Sequence, residues 1–317
     1  MPQATWSTQL GIALEATAGT AVPATAFIPA ENIKVDDKIT LVDDKAWRGA
    51  PVDIYDQLQG PTISDLSWDG PVYPDTIGFL LAGVLGADDV TGTAAPYAHK
   101  FTLNNTAQPK TYTITDAVNG SIRQAAGVHF SEVSFKIDPS QLVTYTAKGQ
   151  GNLTATTTRP TASYSAVRGS LGWSFAAKLG GAASTLVESA DVTITRVQTP
   201  FYTLGQQNPT IYDGIVSASV KLQMVMEDET EITKFLSSTS ETLELSFTNG
   251  AGATQTGLDI VMSKAIYKTL VKDRSKDYVA LQIEATALGN NTDVGASGGF
   301  SPLSVTVTNA IAAGVFM

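Results

Sequence analysis

The sequence predicts an all-β protein with minor α content: two tandem β-sandwich or barrel domains, each carrying one short flanking helix. Three observations predict it. Apolar and polar residues alternate with period 2 over most of the chain, as half-buried antiparallel strands do. Tight-turn signals such as Asn119-Gly120 and Asn249-Gly250 separate the alternating runs. The organisation of the first half also returns in the second, about 156 positions later.

Taken in chain order, Leu66 and Trp68 mark a strand ahead of a short amphipathic segment. Asp75 is the expected cap there, and Ile77, Leu80, Leu81, Val84 and Leu85 form one helical face. Gly78 and Gly83 each cost that helix up to ~1 kcal/mol against alanine, so packing has to hold it. Val133, Phe135 and Ile137 alternate with Ser134 and Lys136, and Val143 to Gly149 reads as a closing strand. A polar, Thr-rich stretch around Arg159-Pro160 has no apolar periodicity. It places a linker near residues 153–166, between domains at 1–155 and 163–317.

The second half repeats the series. Val192 and Ile194 form one strand, and the run from Val216 through Leu222 and Met224 to Met226 forms a long one. Thr230 is the expected cap of a helix carrying Ile232, Phe235 and Leu236. Strands follow through Leu243, Leu245 and Phe247, through Leu258, Ile260 and Met262, through Val279, Leu281 and Ile283, and through Leu303, Val305 and Val307. A long connection precedes a Tyr-Asp step in each half: one runs to Tyr55-Asp56 and carries Trp47 and Arg48, the other runs to Tyr212-Asp213 and carries Phe201 and Tyr202. Loops of that length with aromatic tips either fold back on their own domain or reach a partner.

Composition narrows the function. The chain has 317 residues, 43% hydrophobic and only 16% charged, which is too apolar for disorder. With so few charges, its surface is covered by Thr, Ser, Asn and Gln or by neighbouring chains. There is no cysteine, which excludes disulfides, thiolate metal sites and cysteine nucleophiles. The net charge of −10 argues against a basic track for nucleic acid, whose affinity comes from Lys and Arg releasing counterions. Solubility and repulsion of a polyanion are both consistent with that acidity. The first positive side chain is Lys34, so a signal-peptide basic region is not expected. The apolar run Ile77–Ala87 is far short of the ~20 residues that span a bilayer. Those two features predict a reducing, soluble compartment and no membrane binding.

No catalytic, cofactor or metal residues emerge. The nucleophile elbow, the His-Glu-x-x-His pair and the Walker loop are all missing. Asp36-Asp37, Asp43-Asp44 and Asp88-Asp89 lack the ligand spacing of a calcium loop. His129 alternates with Val128 and Phe130 and is expected to be solvated on a strand's polar face.

The opening Gly11-x-x-x-Glu15-x-x-x-Gly19-Thr20, running into Phe27-Ile28-Pro29, resembles that of tail tube (major tail) proteins of long-tailed bacteriophages. The motif covers about 30 residues and is not repeated near residue 165, but the architecture resembles the family over both halves. The resemblance implies a non-enzymatic virion protein, assembled in the host cytoplasm, whose rings stack into a hollow tube for DNA ejection. A duplicated chain implies trimeric, pseudo-hexameric rings. Its implied partners are further copies of itself, the tape measure protein and the tail terminator and tip proteins, with double-stranded DNA passing through unbound. On this reading Trp47, Arg48, Tyr55, Phe201, Tyr202 and Tyr212 belong to ring-stacking loops. The polar strand faces carrying Asp65, Ser67 and Asp69, and Ser219, Lys221 and Gln223, line the lumen. A capsid decoration or tail-associated binding module shares the β-rich, acidic, cysteine-free character and is the alternative; a depolymerase would need a cleft of carboxylates, which the sequence does not offer.

Overall fold

A computed structural model describes residues 4–317. In the first half, β1 (Gln9–Leu14) and β2 (Ala26–Ile28) form a hairpin, followed by the long pair β3 (Glu31–Asp44) and β4 (Asp56–Pro71). Then come α1 (Ile77–Leu85), the hairpin β5 (Gly86–Thr91) and β6 (Tyr97–Leu103), the hairpin β7 (Tyr112–Val118) and β8 (Ser121–Ile137), β9 (Thr144–Gly151) and the short β10 (Ala155–Thr156). The second half has β11 (Ala176–Leu179), β12 (Ala182–Ser184), β13 (Val187–Phe201), β14 (Thr210–Val225), α2 (Thr230–Leu236), β15 (Glu241–Asn249), β16 (Thr256–Asp273), β17 (Ala280–Ala287) and β18 (Ser304–Asn309). The protein is all-β with two short helices. Both helices stand where the apolar periodicity predicts them, but their caps differ by one residue: Thr76 and Glu229 hold the N-cap positions.

Two sheet layers result. The long strands form one continuous antiparallel sheet in the order β3-β4-β9-β8-β13-β14-β17-β16. The first four strands belong to the first half and the last four to the second, and the seam between them is the β8–β13 ladder from Glu132↔Thr195 to Ile137↔Ala190. β8 and β16 each leave this sheet at their N-terminal ends to join a second layer. There β8 pairs with β7 and β10, and β16 with β15 and β18. The hairpin β5–β6 comes from the first half but adds to the second half's layer through Phe101↔Val305 and its neighbours. The halves therefore share strands across their boundary.

The ladders break at matching places. β7–β8 slips between Tyr112 and Ile114, and β15–β16 between Glu241 and Leu243. β8–β9 slips between Phe130 and Glu132, and β16–β17 between Tyr267 and Thr269. Through these bulges Gly149 corresponds to Ala285, so their partners Leu66 and Val220 correspond as well. The sequence pattern instead aligns Leu66 with Leu222. A two-residue slip leaves every side chain on its own face, so alternation alone does not detect it.

Apolar side chains between the layers form one continuous core. Trp68 packs edge-on against Phe130 at 5.8 Å, Phe130 lies 5.5 Å from Tyr112, and Phe79 stands edge-on to Phe316 at 4.9 Å. α1 is buried along its whole length. Its two glycines follow from that: a Cβ on Gly78 would strike the Phe316 ring, and one on Gly83 the Phe130 ring. The helical propensity lost at those positions is offset by close aromatic packing.

Candidate functional site: assembly surfaces of the sheet

Along β4, Leu66 and Trp68 point into the core, while Asp65, Ser67 and Asp69 are half-buried on the opposite face. Along β14, Val220, Leu222 and Met224 point inward; Ser219 and Gln223 are half-buried and Lys221 is exposed opposite them. All six polar positions therefore lie on the outward face of the eight-stranded sheet. Along one row of this face charges alternate in sign, whereas on β3 and β4 Asp36 stands opposite Asp65. Lys136, Asp191, Lys221 and Glu284 stand side by side on four successive strands, so Lys221 has a carboxylate in register on each flank. Lys148 bonds Glu132 at 3.0 Å, Gln150 donates to Asp65 at 2.9 Å, and Lys38 pairs with Asp65. This face is polar and carries charges of both signs.

The β3–β4 hairpin runs beyond the body of the sheet, its ladder continuing from Leu41↔Gln59 to Asp44↔Asp56. Ile39, Leu41, Val42, Val52 and Leu58 are exposed on this arm, and Trp47 at its tip is 98% exposed. Leu41 and Val42 are successive residues and face opposite sides, so both faces of the arm are apolar. Its tip is ordered by its own contacts: Arg48 pairs with Asp44 and lies 4.8 Å over the Tyr55 ring, and the Tyr55 hydroxyl donates to the Ala50 carbonyl at 2.9 Å.

The β13–β14 connection behaves differently at its tip. Thr62 on β4 donates its amide to the Gln207 carbonyl at 2.9 Å, and the Thr62 hydroxyl lies 3.0 Å from Asn208 Oδ1. The loop thus folds onto the base of the first arm. Tyr202 takes part in this contact, its hydroxyl donating to the Thr62 carbonyl at 3.4 Å, while Phe201, Tyr212, Leu204 and Ile215 remain exposed.

The body that carries these surfaces is held by buried polar groups, several of which sequence reasoning missed. Glu15 is 3% exposed and accepts four hydrogen bonds: the Gly19 amide at 2.7 Å, the Thr111 hydroxyl at 2.7 Å, the Thr113 hydroxyl at 2.8 Å and the Gly127 amide at 2.8 Å. Gly19 and Gly127 both have positive φ, at 77° and 63°. The motif thus ties the opening loop to β7 and β8. Its signal is in the sequence, but the identity of the partners is not.

His129, expected in solvent, is largely covered instead. Its Nδ1 lies 2.6 Å from the carboxylate of Asp213, which is itself 2% exposed. This pair crosses between the halves, and no local pattern announces it. Arg196 is buried and donates to the carbonyls of Val84 and Leu85 at 2.9 and 3.4 Å, capping the C-terminus of α1 with positive charge. Burial, against the charges of Asp213 and Tyr212, leaves the Arg196 pKa below the usual arginine value.

His99, wholly buried, bonds Asp88 through Nδ1 at 2.9 Å and the Ile311 carbonyl through Nε2 at 2.8 Å. Both partners are acceptors, so the ring donates from both nitrogens as an imidazolium. Burial pushes its pKa down, and the bonds it donates to Asp88 and Ile311 outweigh that and hold it above 6.5. Among the described residues, no group of three or more His, Asp or Glu side chains is placed to hold a metal ion, and no helix is long and apolar enough to cross a membrane.

A family model described as phage tail tube protein matches residues 5–308, nearly the whole chain. The chain belongs to the phage tail tube protein family. As a tail tube protein it is a structural component of the virion tail that self-assembles into a tube. The comparison with curated proteins returns no match.

Proposed function

We propose that three copies of this tail tube protein close into a pseudo-hexameric ring, and that rings stack into the tube through which DNA leaves the virion. The observation that carries this reading is the β8–β13 seam. It joins the last long strand of one four-stranded unit to the first long strand of the next, antiparallel and over six residue pairs. The same plan leaves β3 and the C-terminal half of β16 as the unpaired edges of the sheet among the described residues, with directions that are again antiparallel. Unpaired edges are templates for another chain, and a closed barrel removes them.

Matching bulges support one register for the second seam. Ile39↔Thr62 corresponds to Arg196↔Val216, and the β8–β9 break corresponds to the β16–β17 break. Lys34 of one copy therefore lies opposite Asp273 of the next, as Asp191 lies opposite Lys136 within the chain. An oppositely charged pair occupies both seams. In the closed ring the polar face, with Asp65, Ser67, Asp69, Ser219, Lys221 and Gln223, lines the channel, and its interspersed carboxylates offer DNA no continuous basic track.

The β3–β4 arm with Trp47, Arg48 and Tyr55 reaches the adjacent ring, and the exposed Phe201 and Tyr212 complete that contact, with Tyr202 bracing the second loop against Thr62. Aromatic anchors are the residue types that dominate contact energies. Each half then acts as one tube domain, 1–155 and 163–317, and the tape measure, terminator and tip proteins are the partners at the tube's interior and ends.

The test uses the absence of cysteine in the chain. Antiparallel partners have Cα atoms ~4.5–5.5 Å apart, within disulfide range. The double variant Lys34→Cys/Asp273→Cys is expected to give covalent species up to three chains on oxidation, while either single variant gives none. Absence of cross-linked species in assembled material contradicts the seam.

A further inference from the structure

The two helices differ in how they are covered. Every residue of α1 is buried, whereas in α2 only Glu231 is buried and Leu236 in the last turn is 76% exposed. α1 is covered by elements that α2 has no counterpart for within the chain: the β5–β6 hairpin, the C-terminal Phe316 and, at the helix end, Arg196 from β13.

We infer that the C-terminal turn of α2 is a docking site for Ile39 of a neighbouring copy of this chain. The inference rests on the three-chain ring and names one contact within it. In the shared ladder frame the position of Arg196 on β13 is that of Ile39 on β3. Counting on from the ends of β4 and β14, Leu85 at the end of α1 falls level with the turn after Leu236 that closes α2. Where Arg196 reaches the end of α1 inside the chain, Ile39 reaches the end of α2 between chains. Ile39 is 47% exposed in the single chain, on the β3 edge that the ring closes.

The change from arginine to isoleucine has a chemical reason. The end of α1 presents the Val84 and Leu85 carbonyls to Arg196. The end of α2 serves its own carbonyls: Ser237 donates its amide and hydroxyl to Thr233, and the amides of Ser238 and Thr239 donate to Phe235 and Lys234. What this self-bonded turn leaves in solvent is the aliphatic side chain of Leu236. Two half-exposed aliphatic groups meeting at a closing seam remove apolar area from water on both sides.

A single thiol tests this. Leu236→Cys gives a unique reactive group on an exposed site, so the variant should fold as a single chain does. Maleimide labelling is compared between dilute single chains and three-chain rings identified by native mass spectrometry. Labelling at least about tenfold slower in rings, restored by the added substitution Ile39→Ser, supports the contact. Rings that label at the single-chain rate, or slow labelling that Ile39→Ser leaves unchanged, overturn the contact while the ring stands. If no three-chain species forms, ring and contact fall together.

Discussion

Glu15 shows how much one side chain can organise. Its carboxylate gathers four donors from the opening loop, β7 and β8, and Gly127 approaches so closely that a Cβ there would press on Gly19. Glu15→Ala strands those donors, and a loss of about 3–4 kcal/mol is expected in urea unfolding. Glu15→Gln, which keeps the shape and one acceptor oxygen, should lose less. His99 adds a pH dependence of known sign. Its pKa is held above 6.5 in the folded protein, so its stabilising contribution is complete below that value. The contribution is lost as the pH rises through the elevated folded value. Thermal unfolding from pH 6 to 9 should show this fall, and His99→Gln should remove it. In the sequence Glu15 stands out only as part of the motif it shares with Gly11 and Gly19, and nothing there marks it as a buried acceptor. His129 is misread from sequence, because the partner Asp213 lies 84 residues away and alternation reports a face, not what covers that face.

At the scale of elements, strands and helices were legible wherever one face is buried. The β14 run from Val216 to Val225 and the face Ile77–Leu85 are instances, because a periodic core imposes a periodic sequence. Pairings between distant strands left no such mark, which is why the β5–β6 hairpin's addition to β18 was not foreseen. The C-terminal strap was missed for the same reason. Phe316 is fully buried against Phe79, and its carbonyl accepts from Tyr112 at 2.7 Å. Phe316→Ala should lower stability by about 3–5 kcal/mol by chemical denaturation, with the fold retained. The β3–β4 arm is expected to behave in the opposite way. Its tip contributes nothing to the core, so deleting residues 44–50 should leave melting unchanged and yield soluble rings that no longer stack. Tubes of unchanged length and yield, measured by electron microscopy, would locate stacking elsewhere.

At the scale of the molecule, the repeat visible in the sequence becomes one eight-stranded sheet with an internal seam and two open edges. The repeat itself was legible because both halves keep the same alternation and helix. Its phase was not, since a shift from Val220 to Leu222 as the partner of Leu66 preserves the pattern. Assembly is the central claim, and stoichiometry tests it most directly. Native mass spectrometry of the smallest closed ring, matched to an averaged tube cross-section, should give three chains and six similar lobes. Six chains of this length per ring would contradict it.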